Sequence, residues 1–66
     1  MKIALNGEER EVAPATSITQ LLRDAGYADR RVAVEINREI VPRSRHAEQL
    51  LRAGDRVEIV HAIGGG

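Results

Sequence analysis

The 66-residue chain has no cysteine, no tryptophan and no phenylalanine. Without cysteine there is no disulfide framework, no thiolate nucleophile and no thiolate metal site. A persulfide carrier, which holds sulfur on a thiol, is excluded with them. An excess of charge of either sign is missing too. Ten Lys and Arg stand against ten Asp and Glu, and the basic residues are scattered rather than gathered, which argues against nucleic-acid binding. No stretch approaches the run of about 20 apolar residues that a membrane-spanning helix needs. The opening Met1-Lys2-Ile3-Ala4 is too short for a signal peptide, so the expectation is a soluble, cytoplasmic protein with no membrane partner. The two histidines, His46 and His61, lack the spacing of a ligand pair, and no metal is expected. Glu8 and Glu9 do not form a general acid/base pair, because no pocket is expected to converge on them. A chain this short makes one domain with one core and little room for an internal cleft, and it is expected not to be an enzyme.

The pattern that is present is alternation. Lys2 to Asn6 alternates polar and apolar residues, with Ile3 and Leu5 on one face. Asn6-Gly7 supplies the two residues that tolerate positive φ in a type I′ turn, so Glu9 to Ala13 should return as an antiparallel partner. Pro14 interrupts pairing. Ser17 and Gln20 have capping-box spacing, and a helix is predicted from about Ile18, with Ile18, Leu21, Leu22 and Ala25 along its apolar stripe and Gly26 at its end. Val32 to Asn37 reads as a strand with Val32, Val34 and Ile36 on one face. A turn at Asn37-Arg38-Glu39 leads to a short strand, Ile40-Val41, and Pro42 suits its end. Ser44 to Leu51 is expected to form a short helical turn. Arg56 to Ile63 alternates again, with Val57 and Ile59 inward and Glu58 and Val60 outward.

The expected core is Ile3, Leu5, Val12, Leu21, Leu22, Val32, Val34, Ile36, Val57 and Ile59. Tyr27, the only aromatic residue, should fold over the helix end, and His61 should pack near the end of the last strand. The order of elements gives an α+β domain in which one helix covers one face of a mixed four- to five-stranded sheet. A right-handed crossover through the helix sets the third long strand beside the first.

The chain ends Ile63-Gly64-Gly65-Gly66. Glycine loses most conformational entropy on ordering, so three in succession before a free carboxylate ask for a chemical reason. The element order with this ending resembles the ubiquitin-like β-grasp fold. The segments "INREIVPRS" (Ile36 to Ser44) and "AGDRVEIV" (Ala53 to Val60), with the terminal "GGG", are similar to the ThiS family of sulfur carriers in thiamin biosynthesis. The resemblance implies a β-grasp body over residues 1–63 and a flexible reactive tail over residues 64–66. It implies that an E1-like adenylyltransferase of the ThiF type uses Mg-ATP to adenylate the Gly66 carboxylate. Sulfur from a donor such as a cysteine desulfurase system then replaces AMP to leave a thiocarboxylate, which serves a ThiG-type thiazole synthase. No cofactor is bound by the carrier itself. Two related readings share the diglycine: the small subunit of molybdopterin synthase, commonly longer than this chain, and a ubiquitin-related modifier forming isopeptide conjugates.

On this reading Gly64 and Gly65, lacking Cβ atoms, give the tail access to a partner's active site. Alternation places Ala4, Ala33, Val60 and Ala62 on the sheet face away from the helix, flanked by Glu35 and Glu58. Val60, Ala62, Ile63, Ala33 and Glu58 are the expected docking residues. Arg38, Arg43 and Arg45, around the "VPRS" turn, are read as a solvated edge.

Overall fold

A computed structural model describes residues 1–61. The first alternating segment is β1 (Lys2–Leu5), which turns through Asn6 and Gly7 into β2 (Glu8–Glu11). The turn residues have φ of 49° and 84°, the paired left-handed torsions of a type I′ turn. Register is antiparallel, with Lys2 opposite Glu11 and Leu5 opposite Glu8. Regular pairing starts one residue earlier than Glu9 and ends two before Ala13. Beyond it, Val12 N–H still donates to the Met1 carbonyl at 2.8 Å.

Helix α1 (Ile18–Asp24) begins where its cap dictates. Gln20 N–H donates to Ser17 Oγ at 3.1 Å, and Ser17 N–H donates to Gln20 Oε1 at 3.3 Å, satisfying two amides that have no partner inside the helix. The remaining first-turn amides find partners elsewhere. Ile18 N–H donates to the Gln49 carbonyl at 3.0 Å and Thr19 N–H to the His46 carbonyl at 3.1 Å, so the stretch after the last turn is tied to the helix start. Gly26, with φ of 90°, ends the helix in the left-handed conformation open to glycine.

The strands β3 (Val32–Ile36) and β4 (Glu39–Val41) form a second hairpin. Its turn has two residues, Asn37 and Arg38, both at positive φ, rather than three. The segment Ser44 to Leu51 forms only a 3₁₀ turn at Arg43–Arg45 followed by irregular backbone, and Leu50 makes an isolated bridge to Ser17. The last strand is β5 (Arg56–His61); its expected continuation to Ile63 lies outside the described residues.

Strand order in the single sheet is β2-β1-β5-β3-β4. This corrects the expectation that the third long strand lies beside the first. β5 separates them, parallel to β1 with Leu5 opposite Val57, and antiparallel to β3 from Val32–His61 to Ile36–Val57. The crossover leaves a slot one strand wide, and the last strand fills it, so that both neighbours gain a paired edge that would otherwise lie open. Val57 and Ile59 are thereby buried beneath the helix.

The core consists of Ile3, Ile18, Leu21, Val34, Ile36, Leu51, Val57 and Ile59. Leu5, Val12, Leu22 and Val32, expected inside, are half-buried at its rim together with Tyr27. Leu51 joins the core because Leu51 N–H donates to the Thr16 carbonyl at 2.8 Å, which carries its side chain under the helix.

Candidate functional site

The pleat sends successive side chains of β3 and β5 to opposite faces. Val34, Ile36, Val57 and Ile59 turn toward α1 and are buried, while Ala33, Arg56, Glu58 and Val60 are exposed. Register then assembles the open face. Ala33 stands opposite Val60, and Glu35 opposite Glu58. On the far side of β3, Ile40 stands opposite Glu35. Ile40 is 71% and Val60 53% exposed, so two branched aliphatic side chains and Ala33 surround a cross-strand pair of carboxylates.

Ala33, Glu58 and Val60 share this face, as the alternation places them, and Ile40, which the sequence reading did not place there, shares it too. The signal that finds it is the two-residue turn at Asn37-Arg38, which fixes the β3–β4 register and places Val41 inward against Val34. Ala62, Ile63, Gly64, Gly65 and Gly66 lie outside the described residues, as does the boundary drawn between residues 63 and 64.

Like charges directly opposite one another destabilise a sheet, and Glu35 and Glu58 enter no ion pair among the described residues. The ion pairs among the described residues are Met1–Glu11, at 2.6 Å, and Lys2–Glu9, at 3.6 Å. The first of these holds the Glu11 carboxyl below its ordinary range, chiefly because the terminal ammonium donates a hydrogen bond to it and, next, through their Coulombic attraction.

His46 is buried, with Nε2 at 3.0 Å from the Val41 carbonyl oxygen. That contact accounts for its place in the fold, and no cluster of three metal-ligating side chains occurs among the described residues. His61 is exposed at the end of β5, its ring centroid 5.8 Å from that of Tyr27 and inclined at 50°. Arg38, Arg43 and Arg45 are exposed. No α-helix among the described residues is long and apolar enough to cross a membrane.

Comparison with known proteins matches this architecture. A solved structure of a thiamine biosynthesis protein (ThiS) from Geobacter metallireducens superposes over the whole of both chains with a TM-score of 0.87 and 32% identity. The sulfur carrier protein ThiS of Escherichia coli K12 is 29% identical over the full length of both chains. Thiazole synthases of Paramagnetospirillum magneticum and Magnetococcus marinus are 47% and 42% identical across all 66 residues. This chain spans only 20% of the length of each of those two proteins. The ThiS family model matches residues 3–66, from β1 through the last glycine, and the chain belongs to the ThiS family.

Proposed function

We propose that this chain is a sulfur carrier for thiamin biosynthesis, a protein cosubstrate rather than an enzyme, acting in the cytoplasm with Gly66 as its reacting residue. The observation that carries the reading is the family match running to residue 66, together with a ThiS carrier aligned end to end with this chain.

A carboxylate is a poor electrophile because its charge and resonance oppose nucleophilic attack, so it must first acquire a leaving group. In the proposed sequence a Gly66 carboxylate oxygen attacks the α-phosphorus of ATP, and pyrophosphate departs, leaving an acyl-adenylate. Magnesium and ATP belong to the activating enzyme. The terminal sulfur of a donor persulfide then attacks the acyl carbon and AMP leaves with the bonding pair; a thiol of the donor system cleaves the S–S bond of the resulting acyl disulfide, forming a disulfide with the donor sulfur and releasing the thiocarboxylate. Dividing the substitution into covalent stages lowers each barrier.

The five residues after His61 reach at most about 17–18 Å when extended. That is enough to carry a carboxylate into a neighbouring active site while the sheet rests at its rim. The absence of Cβ atoms at Gly64 and Gly65 suits a narrow passage. Val60 and Ala33, exposed near the start of that segment, and Ile40 on the same open face form the docking surface, together with Ala62 and Ile63. Glu35 and Glu58 favour a partner surface bearing Arg or Lys. The partners are an E1-like adenylyltransferase and a thiazole synthase. Relatives named thiazole synthase that contain a segment resembling this chain support the second.

The test is incubation of the full chain with a candidate activating enzyme, Mg-ATP and a sulfur donor, followed by intact-mass measurement. The expected product has one terminal oxygen replaced by sulfur. Thiazole assembly that proceeds equally well with a chain lacking Gly66 overturns the proposal.

A further inference from the structure

The chemistry above leaves unused a cleft of about 280 Å³ on the helix side of the molecule. One wall is the α1 stripe Thr19, Leu22 and Arg23, whose i, i+3 and i+4 spacing puts them on one helical face. Tyr27 and Val32, both half-buried, continue the apolar surface, and His46 lines the cleft beside Thr19. Main-chain hydrogen bonds fix these walls. Tyr27 N–H donates to the Leu22 carbonyl at 2.7 Å, Arg30 N–H to the Tyr27 carbonyl at 3.1 Å, and Thr19 N–H to the His46 carbonyl at 3.1 Å.

Charge in the cleft is one-sided, although the chain as a whole is neutral. Arg23, Arg30 and Arg43 line it against a single carboxylate, Asp29, and none of the four enters an ion pair among the described residues. His46 is 6% exposed and uses Nε2 on the Val41 carbonyl oxygen, leaving Nδ1 as the ring nitrogen still available. A guanidinium presents paired N–H groups whose geometry matches phosphate oxygens. The cleft falls just below the range of about 300–1,000 Å³ typical of drug-sized ligand pockets, which selects a compact ligand over a nucleotide.

We propose that this cleft binds a small phosphate ester, with its phosphate among Arg23, Arg30 and Arg43 and its carbon skeleton against Leu22 and Tyr27. Val32 stands opposite His61 in the sheet, and Tyr27 contacts the His61 ring. The ligand therefore sits beside the end of β5, where the chain continues toward its glycines. The assignment rests on the cleft alone and stands apart from the sulfur-carrier reading.

Titration of the full chain with glycerol phosphate at constant ionic strength, followed by amide chemical shifts, tests it. Saturable shifts confined to residues 19–32 and 43–47 are expected, with none on adding glycerol. Arg30→Gln and Arg43→Gln should each weaken binding about tenfold with the rest of the spectrum unchanged, while Arg52→Gln leaves the affinity as it was. Shifts that fail to saturate, that sodium chloride reproduces, or that survive both cleft substitutions overturn the proposal. Inorganic phosphate binding as tightly as the ester removes the role given to Leu22 and Tyr27 and overturns the ester assignment.

Discussion

The side chain of Asn6 accepts a hydrogen bond from the Ile59 backbone N–H at 2.8 Å, across 53 residues of chain. Asn6 also holds a left-handed φ of 49° in the first turn, and its own N–H donates to the Val57 carbonyl at 2.9 Å. The residue that reverses the first hairpin thus extends the short parallel pairing of β1 with β5. Asn6→Ala leaves the Ile59 amide without its partner and removes the short polar side chain that makes a left-handed torsion tolerable at a residue other than glycine. A loss of about 1–3 kcal/mol is expected from the orphaned donor, read as a lower urea midpoint with an unchanged slope. Asn6→Asp retains an acceptor oxygen and should lose less; equal losses for the two substitutions would contradict the assigned bond.

What could be read from the sequence was local. Ser17 and Gln20 are three residues apart, so their reciprocal bonds belong to the helix start in any fold that contains it. Asn6-Gly7 likewise fixes its turn through its own torsions. The alternation of Val57 to Val60 correctly separated the inward face from the outward one. Three features depended on distant neighbours and were not accessible in the same way. The insertion of β5 between β1 and β3, the bond from Asn6 to Ile59 and the burial of Leu51 all arise from contacts between segments whose separate patterns carry no mutual register. Ile40 is an intermediate case. Its position on the open face follows from the Asn37-Arg38 turn only when that turn is given two residues rather than three.

Leu51 is 3% exposed and sits in the core with Ile18 and Leu21, although it belongs to no strand or helix. Its backbone bond to Thr16 fixes the depth at which the side chain enters. Leu51→Ala should cost about 2–5 kcal/mol, the combined effect of lost transfer free energy and a residual cavity. In a domain this small that is a large share of the total stability. Chemical denaturation of the two proteins checks it. A change below about 0.5 kcal/mol would place Leu51 outside the packed interior.

Glu11 predicts a pH dependence whose sign follows from its partner. The Met1 ammonium donates to its carboxylate at 2.6 Å and also to the Val12 carbonyl at 2.7 Å, and the first bond is the main reason the Glu11 pKa lies below its ordinary value of 4.5. A carboxyl whose pKa is depressed on folding contributes stability that is fully present above its unfolded pKa. That contribution disappears as pH falls through the folded value. The pair is open to solvent, so the contribution is small and should shrink as salt is added. Urea midpoints measured downward from neutral pH should therefore decline more steeply for the parent chain than for Glu11→Gln. Parallel curves would dissociate the pair from stability.

Val60 separates docking from folding. It is 53% exposed opposite Ala33 on the face that α1 does not cover, so replacing it creates no cavity. Val60→Asp exchanges a good strand residue for a poor one and adds a third carboxylate near Glu35 and Glu58. Scales measured in sheets span about 1 kcal/mol, which bounds the expected cost to folding. The same change sets a charged group where an apolar partner surface would have to seat, and loss of a central apolar contact commonly weakens association by more than about 1 kcal/mol. Adenylation at subsaturating carrier should therefore slow about fivefold or more, while the unfolding midpoint shifts only slightly. Glu48→Gln, an exposed substitution away from the sheet, should change neither quantity. Two outcomes are decisive: unchanged turnover for Val60→Asp removes the open face as the docking surface, and restored turnover at high carrier concentration identifies the defect as one of binding.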